Sequence, residues 1–265
     1  MPLHKQMELL ASELESQTNL TIDQFLIENP KFQQIGKLLI AYHIVINMYL
    51  ERSSEVDIRL KHFGAATFAG ENNWYARLAN FIREDATSAS SLEHDGKPKV
   101  VTFNYDTTLD LVLEQKLTKK RERHEGADWK KCVNILHVHG KSYNLPDKLG
   151  KVDNILLESA RGILTIDEKV DASASESIRL IRDQAVKALQ KAEGIYVLGF
   201  GFHDANLAIL DAANAFQSGD VYCLNYDGNA RVDQKLNDLG IPEENVWKNK
   251  SIDEAVQEGF LELRI

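Results

Sequence analysis

Four short runs in this 265-residue chain set chemically capable side chains directly after apolar stretches. FNYD places Asn104, Tyr105 and Asp106 after Val100–Phe103, and HVHGKS places His137, His139 and Gly140 after VNIL. GFGFHD supplies Gly199, Gly201, His203 and Asp204, and NYDG supplies Asn225 and Asp227 after VYCL. Ligands of open parallel sheets bind outside the carboxyl ends of the strands, so polar residues at those ends are the first candidates for function. His139 suits proton transfer, because an imidazole titrates near neutrality and the neighbouring Gly140 allows a ligand to come close. Gly199 and Gly201 permit a tight turn or the approach of backbone to a phosphate or ribose.

Each run also has a plainer reading. An Asp after a strand commonly caps the next helix, which is the ordinary role for Asp106. His137 reads as a core histidine bonded to backbone. His137 and His139, two apart on one strand, would share a face. A metal centre needs a third ligand at defined geometry, which no spacing here supplies, so no metal is expected. The GxG of Gly199 and Gly201 lacks the third glycine of the dinucleotide fingerprint. Asp204 is placed to cap a helix over 205–216, with Gly219 just past its end.

The elements that must position these runs fall into two stretches. Apolar spacing predicts helices over Leu3–Glu15, from Ile22 onward, over Ile35–Leu50 and over Asn72–Glu84. Thr21 and Gln24 have capping-box spacing, Ile22, Phe25 and Leu26 face inward, and Pro30 interrupts. The first third therefore reads as helical, without strands. From Lys97 the pattern changes: strands are predicted over Val100–Phe103, Val133–Val138, Ile195–Phe202 and Val221–Leu224, separated by helices over Thr107–Leu117, Ser175–Ala192 and Asp204–Phe216. Thr118–Lys131 and Pro146–Asp153 read as solvated connections. The expectation is one α/β domain over 1–265, with a helical subdomain at 20–96 and a mostly parallel sheet, helices on both faces, at 97–265.

Composition removes several function classes. Forty Asp and Glu against 31 Lys and Arg give a net charge of -9, the wrong sign for a phosphate-backbone binder, so a nucleic-acid partner is not expected. Two cysteines, Cys132 and Cys223, cannot build a disulfide framework or a four-thiolate zinc module, and a cytoplasmic setting fits. The longest apolar stretch, interrupted by Lys37, His43 and Asn47, falls short of the roughly 20 residues of a spanning helix, and no export signal is visible. No membrane partner is expected.

Taken in order, FNYD, HGK, LGFGFHDAN and LNYDG resemble the sirtuin-like family, in particular its bacterial branch that hydrolyses NAD in antiphage defence. The resemblance extends to TIDQFLIENPKFQQIGK and NNWYARL, which look like that branch's helical region. It implies a Rossmann-like fold, NAD as the substrate, a homo-oligomer and a partner protein of a defence system. By the resemblance, Asn104 and Asp106 match residues lining the nicotinamide-ribose pocket and His139 matches the catalytic histidine. Gly199 and Asn225 match positions that approach the phosphates and the adenosine ribose, with Gly201 beside them. Nicotinamide leaves as a good leaving group and generates an oxocarbenium-like ribose, which needs a positioned water and polar acceptors. Asn104 would orient that water or a ribose hydroxyl, and His139 would accept a proton.

The chain departs from the family at two places. The four-cysteine zinc module of the deacylases is missing, which ranks NAD hydrolysis above NAD-dependent protein deacylation. The opening strand and its GAG-type phosphate loop have no counterpart either; Met1, Pro2 and Leu3 resemble the sequence just after that loop. Loss of that wall raises an alternative expectation, a catalytically degenerate nucleotide-binding or oligomerisation module.

Overall fold

The computed structural model describes residues 3–17, 22–51, 59–60, 73–84, 97–118, 128–142, 152–165, 172–217 and 219–262. In chain order the elements begin with helices α1 (Leu3–Ser16), α2 (Ile22–Glu28) and α3 (Gln33–Tyr49), followed by strands β1 (Leu50–Glu51) and β2 (Arg59–Leu60) and helix α4 (Trp74–Glu84). Next come β3 (Lys99–Thr102), α5 (Thr108–Thr118), α6 (Trp129–Cys132), β4 (Asn134–His137), α7 (Val152–Gly162) and α8 (Ala172–Gln190). The chain finishes with β5 (Gly194–Val197), α9 (Asp204–Ile209), α10 (Ala212–Ala215), β6 (Asp220–Asn225), α11 (Ala230–Asp238), β7 (Val246–Lys248) and α12 (Ile252–Gln257). The protein is mixed α/β. Two compact units arise, each from three separate chain segments: unit 1 is Met1–Thr67, Phe103–Leu109 and His139–Ile178, and unit 2 is Phe68–Thr102, Asp110–Val138 and Arg179–Ile265.

Unit 1 is helical because its apolar residues recur at helical spacing. Leu10, Phe25, Leu26, Phe32 and Ile35 form a buried cluster, with Ile22 and Leu14 packed against it and the Phe25 and Phe32 rings stacked at 5.9 Å. Pro30 starts a 3₁₀ turn, Pro30–Phe32, that separates α2 from α3. It suits that place, because proline is pre-set for a first helical turn and cannot continue an earlier one. Helix α7 covers α3 where Ala41 and Ala160, small enough to let the two helices approach closely, cluster with Ile163 just past the end of α7. Unit 1 also contains an antiparallel pair, with Leu50 opposite Leu60 and Glu51 opposite Arg59, where the sequence predicts no strand.

Unit 2 holds two parallel ladders instead of the single sheet expected. Strands β3 and β4 pair with Thr102 opposite His137, and β5, β6 and β7 pair in that order with Ile195 opposite Val221 and Cys223 opposite Val246. Leu224, Ala255, Val256, Phe260 and Leu261 form the core beside the three-stranded ladder, and Trp74, Leu78 and Trp247 pack onto it. Burial pushes the Cys223 thiol up to about 12, so it stays protonated at neutral pH and is no nucleophile.

Several local expectations are corrected. The predicted strand over Ile195–Phe202 stops at Val197, because Gly199 (φ 60) and Phe202 (φ 49) turn the backbone out of the ladder. The predicted helix over Asp204–Phe216 breaks at Leu210 and Asp211. Asp211 adopts φ 48, and both its carboxylate oxygens accept from Asn214 Nδ2, a local side-chain pairing that competes with helix continuation. Asp204 is not the cap: His203 occupies that position, Asp204 lies in the first turn, and its carboxylate accepts from Lys235, which holds it below the usual carboxylate range. The connection expected over Pro146–Asp153 gives way to α7 from Val152, and part of the stretch Thr118–Lys131 is the short helix α6, capped by Asp128. Thr21 and the stretches 87–96, 119–127 and 143–151 lie outside the described residues. Among the described residues, no helix is long and apolar enough to cross a membrane.

Candidate functional site

In unit 1 the segment 103–107 and the segment 139–142 are tied to one another. The Ser142 amide donates to the Tyr105 carbonyl at 2.7 Å, and the His139 ring lies 5.1 Å from Phe103 and 6.1 Å from Tyr105, centroid to centroid. The Tyr105 hydroxyl is anchored on the Asp23 carboxylate of α2. Asn104 is exposed, Asp106 is half-buried, and His139 is buried at 2% exposure. Asp106 Oδ1 accepts the Thr108 amide at 3.0 Å, so it does cap α5. The two segments therefore bring Asn104, Asp106 and His139 into one local structure, with Tyr105 as the connecting residue.

The backbone around His139 is set by two glycines. Gly140 adopts φ 73, and a Cβ there would overlap the Gly162 carbonyl oxygen; a Cβ on Gly162 would overlap the Lys141 carbonyl oxygen. The His139 carbonyl accepts the Leu164 amide at 2.9 Å, and Gly140 bridges to Ile163. Gly140 thus admits a neighbouring chain segment, where the sequence suggests room for a ligand.

His137 is a buried core histidine, as the sequence suggests. Strand β4 ends at His137, so His139 lies beyond the ladder in a turn, and the shared strand face of the two histidines does not exist. His137 Nε2 lies 3.0 Å from Asp110 Oδ2, with both side chains 6% exposed, a buried carboxylate contact that the sequence does not suggest. When the Asp110 carboxylate is ionised it can only accept, and His137 Nε2 is then the donor. Asp110 was not singled out by sequence, since it lies on α5 and only tertiary structure joins it to β4. Replacing Asp110 with asparagine is expected to lower unfolding free energy by about 1–2 kcal/mol, the difference between a charge-assisted and a neutral hydrogen bond, measurable by urea titration. Among the described residues, no group of three or more His, Cys, Asp or Glu is placed to hold a metal.

The other three predicted residues lie together in unit 2. Gly199, Gly201 and Asn225 line a cleft of about 630 Å³ at the carboxyl ends of β5 and β6. That volume falls within the roughly 300–1,000 Å³ usual for small-molecule sites. A Cβ added at Gly201 would meet nothing within 4 Å, so the backbone there borders open space. Asn225 is buried, and its amide organises the loop that follows. Nδ2 donates to the Asn229 carbonyl at 3.1 Å and to Asp233 Oδ1 at 2.8 Å, while Oδ1 accepts the Asn229 amide at 3.2 Å. Lys248, 3.0 Å from Asp233, and Asn225 together hold the Asp233 carboxyl below its usual range.

The rest of the lining is partly aromatic and partly charged: Trp74, Phe200 and Tyr226 on one hand, Asp227 and Arg231 on the other. Asn229 caps α11 by accepting the Arg231 amide, and Asp253 accepts the Trp74 amide at 2.7 Å at the start of α4. Sequence reasoning missed Trp74, Tyr226 and Arg231 as site residues, although Trp74 stands in NNWYARL and Tyr226 in NYDG. Chemically, the cleft offers aromatic surface, a cationic side chain and unhindered glycine backbone to one ligand. No family model, curated protein or solved structure matches this chain.

Proposed function

We propose that the protein is an NAD glycohydrolase of the sirtuin-like defence type, releasing nicotinamide from NAD in a Rossmann-like fold. The observation that carries the reading is the cleft at the carboxyl ends of β5 and β6, where all three residues assigned to cofactor binding from sequence, Gly199, Gly201 and Asn225, form one lining. Carboxyl ends of adjacent parallel strands are where open α/β sheets take nucleotides. Glycine backbone and the Arg231 guanidinium suit the pyrophosphate, and aromatic side chains suit a base.

Bond cleavage falls to Asn104, Asp106 and His139. Asn104, exposed and uncharged, orients the attacking water or a ribose hydroxyl. Asp106 fixes the loop that presents Asn104 through its bond to the Thr108 amide. His139 accepts the proton released by the attacking water, held between Phe103 and Tyr105. No metal enters this chemistry. A homo-oligomer and a defence-system partner protein belong to the same reading, as does a cytoplasmic location.

A second reading, a nucleotide-binding module without turnover, draws on the burial of His139 and on a cleft built entirely from unit 2 residues. Protein deacylation ranks last. The separating experiment follows nicotinamide release from NAD by the purified full chain, alongside calorimetry with ADP-ribose. Release without any acylated peptide is the expected result. ADP-ribose binding without release would favour the module, release dependent on an acylated lysine peptide would favour the deacylase, and absence of both binding and release would overturn the nucleotide reading altogether.

A further inference from the structure

We propose that Tyr226 is the base-stacking residue of the unit 2 cleft, carrying the purine base of the bound nucleotide on its ring; this rests on the nucleotide reading above and specifies how one end of that ligand is recognised. Three aromatic residues line the cleft, and two of them already have ring partners. Trp74 stacks on Tyr75 at 4.0 Å, and Phe200 meets Phe202 edge-on at 5.0 Å. Among the described residues Tyr226 has neither a ring partner nor a hydrogen bond, and at 65% exposure it is the most exposed of their large hydrophobic side chains. An aromatic face left open inside a cleft that also holds Arg231 and two glycines is a platform for a flat, apolar ring joined to a polar tail.

Its presentation is rigid. Tyr226 is the second residue of a β-turn closed by the Gly228 amide donating to the Asn225 carbonyl at 3.3 Å, with Gly228 at φ 61. Asn at the first position and Gly at the fourth suit such a turn. The same Asn225 carbonyl accepts the Asn249 amide at 3.1 Å, and the buried Asn225 side chain holds the other flank at Asn229. The ring is therefore offered by a loop whose backbone is already ordered, which reduces the entropy lost when a base settles on it. Aspartate at the next position, Asp227, has one carboxylate oxygen on the Asn229 amide at 3.2 Å, which leaves its other oxygen for the sugar attached to that base.

Calorimetry of ADP-ribose binding to the full chain tests this, because ADP-ribose carries adenine without nicotinamide. Since Tyr226 is solvent-exposed, Tyr226→Ala leaves the fold intact. It is expected to weaken ADP-ribose by about 5- to 150-fold, the range for loss of one base–aromatic stack, while Tyr226→Phe stays within about twofold of wild type. Wild-type affinity in Tyr226→Ala overturns the assignment and leaves the nucleotide reading standing. Equal loss in Tyr226→Phe and Tyr226→Ala also overturns it, since the hydroxyl would then be the contact. A wild-type chain that binds no ADP-ribose overturns the assignment together with the reading it rests on.

Discussion

Asn104→Ala lowers nicotinamide release from NAD by about 10²–10³-fold while ADP-ribose binding stays at the wild-type level. The magnitude is that of removing one positioned polar group from a site where charge develops in the transition state. The selectivity follows from location. Asn104 is exposed, and it is not among the residues that line the cleft in unit 2. His139→Gln extends the test, because glutamine approximates the volume of the imidazole but cannot take a proton at neutral pH. Loss of about 10²–10⁴-fold is expected there, the usual contribution of a general base. Steady-state rates with saturating NAD decide the matter. Turnover of Asn104→Ala and His139→Gln at the wild-type rate would remove both residues from the chemistry.

Gly140→Val is expected to be the most damaging change to stability in the described part of the chain, lowering unfolding free energy by about 2–6 kcal/mol, the sum of left-handed strain and forced overpacking. Two effects coincide at this residue. Its φ of 73 lies in the region that β-branched side chains avoid, and its Cβ would overlap the backbone oxygen of Gly162, which cannot swing aside as a side chain would. The crossing also holds the His139 carbonyl against the Leu164 amide, so displacement there disturbs His139 as well. Against a total of about 5–15 kcal/mol for a typical domain, the loss would show as a large drop in the urea midpoint. A midpoint unchanged from wild type would mean that the glycine pairing is dispensable.

Much of the architecture could be read from the sequence wherever burial and local spacing agreed. Phe25, Leu26 and Ile35 announced α2 and α3, with Pro30 between them, and the switch from apolar to polar residues marked the ends of β3, β4 and β6. The run IYVLGFGF misled because hydrophobicity carries no information about φ; the warning lay in Gly199, which turns the chain two residues after β5 ends. Helix α12 was advertised by Ser251 and Glu254, whose side chains form a full capping box, and α7 by the buried Ile155 and Ala160, yet the sequence analysis names neither helix. Pairing between distant segments had no local trace. The contact of His137 with Asp110 and the division of the strands into two ladders depend on tertiary structure, which spacing along a single chain does not encode.

Assembling each unit from three interleaved segments has a consequence for how the polypeptide reaches its native state. Ala41 finds Ala160 and Ile163 only after the whole intervening chain has been made, so a nascent chain leaving the ribosome carries α3 with part of its apolar surface uncovered. Closing such long loops costs entropy before any contact repays it, which slows folding and lengthens the time during which chaperones or aggregation compete for the half-made protein.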